Sequence, residues 1–286
     1  MSKLVLTSEN YFSQEADEYY VSASQYKSFF GRKTGESGCE CMALAEIRRE
    51  FERPVTTSLM VGSYVDAYFE GTLPTFAAQH PEIYSSRGKT AGELKSEYKQ
   101  ASVMIDRAEK DPLFMKYMAG DKQVIMTGEI EGVPVKIKID STDGKRITDL
   151  KTCRTLNPDD KDFFVYDKRT GERVNFIEGW GYVLQLAIYR EIYRQNTGDL
   201  LPCYICAISK DKTDNIPHPF IAVIDISPQL MDERLIEVKS NITKIQDLKT
   251  GVVEPIPCGI CPYCADTLPL TKTISLDELE VGIRGV

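Results

Sequence analysis

Residues 129–152 read Glu-Ile-Glu-Gly-Val-Pro-Val-Lys-Ile-Lys-Ile-Asp-Ser-Thr-Asp-Gly-Lys-Arg-Ile-Thr-Asp-Leu-Lys-Thr, and this stretch constrains the fold more than any other. Val135, Ile137 and Ile139 alternate with Lys136, Lys138 and Asp140, the period of a half-buried strand. Asp143-Gly144 marks a turn. In the strand that follows, Ile147, Asp149 and Lys151 share one face, and Thr148 and Leu150 point to the other. Asp149 and Lys151 therefore leave the strand on the same side, and Asp140 lies a hairpin away. Two carboxylates and one ammonium can meet at one point. That set suits a hard divalent cation such as Mg²⁺, which takes carboxylate oxygens and fills its octahedron with water and phosphate. A lysine beside the cation can orient an attacking water whose pKa the metal lowers. Asp-x-Lys alone fits a solvated surface ion pair equally well; Asp140 at hairpin distance favours the site.

The chain has 286 residues, 42% hydrophobic and 27% charged, which suits a single elaborated domain. Within it we expect an N-terminal helical region at 20–120, a core at 121–226, and a C-terminal helix with a cysteine motif at 227–286. No run approaches the roughly 20 apolar residues of a membrane span, and the N-terminus lacks a signal-peptide apolar core. The expectation is a cytoplasmic protein with no membrane association. The formal net charge of −8 argues against a broad basic nucleic-acid coat but leaves room for a local basic groove. Candidate groove cations are Arg32, Lys33, Arg48, Arg49, Lys168, Arg169, Arg173, Lys210 and Lys212. Eight cysteines in a cytoplasmic chain point to metal or redox chemistry and away from disulfides.

Along the chain, residues 1–20 are polar and acidic and read as an irregular lead-in. Ser22 and Ser24 cap a helix running to Phe30, and a second helix is expected over 42–51. In the helix expected over 59–70, Gly62, Asp66 and Glu70 recur every four residues on one face. A glycine there permits close backbone approach, and the two acids project into whatever lies opposite; a solvated acidic face is the plainer reading. Residues 72–90 read as a loop, and 91–110 as a helix that Asp111-Pro112 ends. Strands are expected over 123–130, 133–140 and 146–151. Glu129, near the start of this sheet, either faces the same cleft or pairs with a lysine across the strands. Residues 157–172 form a polar loop placed to contact substrate, or simply disordered. The strongest helical pattern covers 175–196 and puts Gln185 and Tyr189 on one face. Strands at 202–209 and 218–225 follow. The last long helix runs from Ser227-Pro228 to Thr250, stopped by Gly251, with Leu230, Leu235, Val238, Ile242, Ile245 and Leu248 as its apolar stripe.

Near the C-terminus, Cys258-Gly-Ile-Cys261-Pro-Tyr-Cys264 brings three thiols together in a Gly/Pro turn. Three thiolates at this spacing converge on one metal, and tetrahedral zinc or an iron–sulfur cluster needs a fourth. Cys41 is taken as that fourth ligand, with Cys39 as the competing choice; reduced free thiols are the remaining reading. Cys153, Cys203 and Cys206 read as buried small hydrophobes.

These motifs, in this order, resemble the PD-(D/E)xK nuclease superfamily, in its RecB-like and phage RecE-type exonuclease branch. The resemblance runs from about Ser22 to Cys264. It implies an α/β fold with a restriction-endonuclease-like core, a mixed β-sheet flanked by helices. It implies Mg²⁺- or Mn²⁺-dependent DNA cleavage, with Asp140 and Asp149 as metal carboxylates, the Leu150 carbonyl as a further ligand, and Lys151 positioning water. Asp66 or Glu129 would complete the shell. The branch carries Gly-x-x-x-His where this chain has Gly62 and Asp66, so the ligand is exchanged. Gln185 and Tyr189 match its Gln-x-x-x-Tyr. The cysteines resemble the one-plus-three clamp of iron–sulfur nucleases of the superfamily, with a shorter last spacing that keeps zinc in contention. DNA, a single-strand annealing protein and further copies of the chain are the implied partners. A catalytically inactive DNA-binding module of the same fold is the main alternative, and an iron–sulfur electron carrier the second.

Overall fold

The computed structural model describes residues 4–31, 38–167, 171–270, 273 and 275–277. Its centre is a five-stranded mixed sheet in the order β1-β2-β3-β6-β9. β1 (Asp121–Ile130), β2 (Val133–Thr142) and β3 (Ile147–Cys153) form an antiparallel meander. The chain then leaves the sheet through a small hairpin, β4 (Phe164–Asp167) and β5 (Glu172–Asn175), a single turn α8 (Phe176–Gly179) and the helix α9 (Tyr182–Thr197). It returns as β6 (Cys203–Ser209), parallel to β3, as a crossover connection requires. The two-residue pair β7 (Lys212–Thr213) and β8 (Ile216–Pro217) leads to β9 (Ile221–Ile226), antiparallel to β6. The alternation read in β2 holds: Val135, Ile137 and Ile139 are all buried.

Helices cover both faces. One core joins the sheet to α2 (Ala23–Phe30), α3 (Glu40–Ile47), α9 and α10 (Pro228–Thr250), with Ile137, Ile147, Ile205, Leu186 and Ile242 fully buried. The other joins Leu150, Cys206 and Ile208 to α4 (Thr57–Phe69), α6 (Ser96–Glu109) and α7 (Pro112–Met118). Ile147 and Leu150 thus fall in opposite layers, so both faces of this strand are covered. The stripe of α10 is buried at Val238, Ile242, Ile245 and Leu248, whereas Leu230 is exposed and Met231 takes its place.

Several expectations are corrected. The N-terminal segment is folded: Ser13 caps α1 (Gln14–Tyr19), and Tyr11, Ala16 and Tyr20 are buried. Its aromatic residues anchor it, and Val21 adds a parallel bridge to Val135 of β2. Residues expected as a loop contain α5 (Leu73–Gln79), with Pro74 in its first turn where its missing N–H costs nothing. The polar loop after β3 folds into β4–β5, because Phe163 packs edge-on against Phe164 and Phe176. The helix expected over 175–196 breaks at Gly181, which adopts φ 67, so α8 and α9 meet at an angle the 3.6-residue periodicity does not reveal. A last short helix, α11 (Pro262–Thr267), carries the end of the cysteine motif. No helix among the described residues is long and apolar enough to cross a membrane.

Gly120, just before β1, has φ 148, and a Cβ there would lie 2.5 Å from the Thr142 carbonyl oxygen. Gly120→Ala is therefore expected to cost about 1–3 kcal/mol, read as a lower urea midpoint at unchanged slope; an unchanged midpoint would show that this corner relaxes freely.

Candidate active site and cysteine centre

The site forms where β2 and β3 part. Their ladder holds only Ser141 opposite Thr148 and Thr142 opposite Ile147. Beyond those pairs the Asp140 side chain enters the gap, and its Oδ2 accepts the Leu150 N–H at 2.9 Å. A backbone donor that would otherwise lack a partner thus fixes a carboxylate. Asp149, 1% exposed, lies on β3 beside it, and its Oδ2 is 2.5 Å from the Lys151 Nζ. The expected convergence of Asp140, Asp149 and Lys151 is present.

α9 supplies the next layer. Gln185 donates from Nε2 to Asp149 Oδ1 at 2.9 Å and lies 3.2 Å from the Tyr189 hydroxyl. Lys27 of α2, buried, donates to Gln185 Oε1 at 3.2 Å. Asp149 is therefore held at one oxygen by an amide and at the other by an ammonium. Tyr182 closes the side, with the Lys151 Nζ 5.0 Å from its ring centre.

α4 approaches from the opposite wall and brings Asp66 and Glu70 to the cleft. Gly62 faces Thr152, whose Oγ1 would sit 3.4 Å from an added Cβ. The cleft has a volume of about 820 Å³, and Asp66, Glu70, Gln123, Lys138, Asp140, Lys151, Gln185 and Tyr189 all line it. Burial and then the charge of Asp149 push the Asp140 carboxyl up to about 7. Burial and then Asp140 raise Asp66 well above the ordinary carboxylate range, and burial raises Glu70. Burial alone would lower Lys151, but Asp149 and Asp140 outweigh it and its pKa rises. Burial raises Tyr189. Crowded, poorly hydrated carboxylates that outnumber the ammonium groups of Lys151 and Lys138 beside them form a locus that a divalent cation would relieve.

Glu129 is not there. It is exposed, opposite Pro134 in the ladder, and its backbone bonds Gln195. Six residues along β2 from Asp140 is about 20 Å at ~3.3 Å per residue. Glu70 stands in the cleft instead, and its spacing of four from Asp66 was the signal for it. Lys27, Lys138 and Gln123 also went unassigned. Lys138 is two residues from Asp140 on the same strand face, with its Nζ 4.9 Å from the exposed Phe12 ring. Of the groove cations, Arg49 lines the cleft but is paired with Asp17 at 2.7 Å. Arg173 packs on Phe164 and Lys210 bonds Ser58, while Arg48 lines a separate cavity beside the cysteines. Arg32, Lys33, Lys168 and Arg169 lie outside the described residues.

The cysteine motif closes on the N-terminal part of the chain. The thiols of Cys39, Cys258, Cys261 and Cys264 all lie within 4.8 Å of one another. Cys39, not Cys41, is the fourth member. Cys39 caps the start of α3 with its side chain turned inward, whereas the Cys41 thiol points to the Pro255 carbonyl at 3.6 Å. Backbone N–H groups of Met42, Cys261 and Cys264 donate to the sulfurs of Cys39, Cys258 and Cys261. Burial would raise Cys258, but N–H donors of Ile260 and Cys261 bring it down to about 7. Phe51 and Tyr263 pack edge-to-face against the group. Cys153, Cys203 and Cys206 are buried, apart from the cluster.

Residues 22–267, from the cap of α2 to the end of α11, match the profile of a PDDEXK-like domain of unknown function, DUF3799. A crystal structure from Eubacterium rectale named "Putative exonuclease" is 42% identical, covers 98% of this chain and 100% of its own, and superposes with a TM-score of 0.88. The structure of SSO0001 aligns over 82% of this chain at 13% identity with a TM-score of 0.27, too low to bear on the argument. No curated protein matches. The mixed sheet with its flanking helices is the PDDEXK nuclease-like fold, and these likenesses support a nuclease. By the extent of the profile match and by its agreement with the Eubacterium rectale protein over essentially its whole length, the chain belongs to the PDDEXK-like domain family.

Proposed function

We propose that the chain acts as one divalent-metal-dependent deoxyribonuclease unit that hydrolyses phosphodiester bonds from DNA ends. The observation that carries this is the meeting of Asp140, Lys151, Asp66 and Glu70 in one cleft, with buried Asp149 paired to Lys151 at its wall. Asp140 and Asp149, with the Leu150 carbonyl and Asp66 or Glu70, would hold Mg²⁺ or Mn²⁺; the all-oxygen donor set fits a hard cation. When bound, such a cation lowers the pKa of a water and offsets charge on the phosphate. Lys151 orients the attacking water. Gln185 holds Asp149 Oδ1, so the other oxygen keeps its aim, and Lys27 holds Gln185 in turn. Water oxygen bonds to phosphorus, the bond to the sugar oxygen breaks, and that oxygen takes up a proton. With a net charge of −8, DNA is held through the metal and local cations such as Lys138. The phage-recombination setting, a single-strand annealing partner, an oligomeric form and a cytoplasmic location rest on the sequence resemblance.

For the cysteine centre we propose a structural zinc ion. Metal–sulfur bonds of about 2.3 Å in a tetrahedron hold sulfurs about 3.8 Å apart. Cys39 and Cys264 sulfurs are 3.6 Å apart, and those of Cys258 and Cys264 are 4.0 Å apart. An iron–sulfur cluster places its own atoms inside the four thiolates and spreads them further. The ion ties α3 to α11 and so adds to folding free energy.

Asp149→Asn and Lys151→Ala are each expected to lower Mg²⁺-dependent degradation of linear duplex DNA by about 10²–10⁴-fold, with melting temperature unchanged and circular DNA resistant throughout. Unaltered rates in both would refute the assignment, and DNA binding by the parent protein without any cleavage would favour an inactive module. Gln185→Ala should retain activity but lose about 10–100-fold in rate or metal affinity; equal kinetics would remove the orienting role. Elemental analysis of the colourless purified protein should find one zinc per chain, and Cys258→Ser should lose it and melt lower. Iron in a brown protein would exclude the zinc reading.

A further inference from the structure

Asp140 sits between two interruptions of the sheet. β3 has parted from it on one side. On the other, β1 runs in register, with Lys122 opposite Ser141 and Val124 opposite Ile139, so Gln123 stands directly across from Asp140. That one pair is not made, because Gln123 adopts φ 53. A left-handed backbone costs energy in any residue but glycine, asparagine or aspartate, and here a glutamine is kept. The turn of the backbone carries its side chain into the site.

The Gln123 Oε1 is buried and has no hydrogen-bond partner. Gln123 borders a chamber of about 10 Å³, the size of a single water, together with Asp66, Glu70, Asp140, Leu150 and the apolar Phe69 and Met118. A buried unsatisfied oxygen is costly and calls for a reason. Burial favours the protonated form of Asp66 and Asp140, which can donate to an amide oxygen, but once a cation displaces that proton the ionised acids only accept. An oxygen that faces ionised acids across a chamber otherwise closed by Phe69, Met118 and Leu150 is satisfied by a cation.

We infer that Gln123 Oε1 is a neutral oxygen ligand of the divalent cation held at Asp140. The inference rests on the metal-centre reading above and adds a residue to it. It gives the site an uncharged donor beside its carboxylates, where the sequence offers no histidine. The left-handed conformation of Gln123 is then retained because it brings this oxygen to the ion.

The test is Mn²⁺ binding by calorimetry and electron paramagnetic resonance at pH 8, with metal-free melting temperatures measured in parallel. Gln123→Ala and Gln123→Gly should each weaken Mn²⁺ binding by about tenfold or more. Gln123→Glu, which keeps an oxygen donor, should bind within about threefold of the parent or tighter. Gln123→Gly should melt at or above the parent temperature without metal, since glycine accepts φ 53 freely; this variant keeps the test alive if Gln123→Ala folds poorly. Parent-like affinity in the Ala and Gly variants overturns the inference, as does a Glu variant as weak as Ala. Asp140→Asn is the control: if it too binds Mn²⁺ like the parent, the metal-centre reading itself has failed.

Discussion

The hydrogen bond from the Leu150 N–H to the Asp140 carboxylate is the contact on which the cleft depends. Adjacent strands of a sheet ordinarily satisfy each other's backbone groups, and a carboxylate has no place between them. Here β2 and β3 separate after two pairs, and the acid takes over as acceptor. The separation leaves the next part of β2 with an open edge, which Val21 covers through bonds to Pro134 and Lys136. The same event therefore creates a pocket for charge and explains why the N-terminal segment must fold onto β2. Without that segment the wall of the cleft would be unpaired backbone.

Charge in the cleft is arranged in two tiers. The inner tier is acidic: Asp66, Asp140 and Asp149 gather about the Lys151 ammonium, and Glu70 stands beside them with Lys138 as its countercharge. Burying so many carboxylates together costs stability, as the raised pKa values of Asp66, Glu70 and Asp140 record. The outer tier is a set of mutually satisfied charges that fixes the walls. Lys136, 1% exposed, is 2.7 Å from Asp17, which also holds Arg49. Burial lowers Lys249 to about 7, and its Nζ bonds the Asp17 and Tyr20 carbonyls and Gln25. These buried cations hold α1, α2 and α10 in place. The inner acids are left poorly matched by the protein, which is the condition for binding a cation that arrives from solution.

The cysteine centre does a different task at a distance from the cleft. It joins Cys39 at the start of α3 to the turn before α11, so the two ends of the fold close on each other. Glu40, next to Cys39, bonds Lys244 of α10 at 2.5 Å and the Ile256 N–H at 2.9 Å. α3 and α10 both pack on the core behind the sheet. A metal held there would act on the frame that carries Lys27 and Gln185, not on the reacting atoms.

Local rules were enough for what lies along one strand or one helix. Alternation in β2 placed Asp140, a spacing of two placed Asp149 beside Lys151, and a spacing of four joined Gln185 to Tyr189. Each relation follows from fixed helix and strand periods, so the sequence by itself determined these five side chains and the order of the elements bearing them. Relations between elements were decided by the tertiary structure. Glu129 is close to Asp140 in sequence and Glu70 is far from it; the ladder register sent the first about 20 Å away along β2, and the packing of α4 brought the second in. Cys39 and Cys41 are two residues apart at the start of one helix, and only the inward turn of the cap selects Cys39. Gln123 reads as an ordinary strand residue, because its left-handed φ is imposed by the strands around it and leaves no mark on the pattern of side chains.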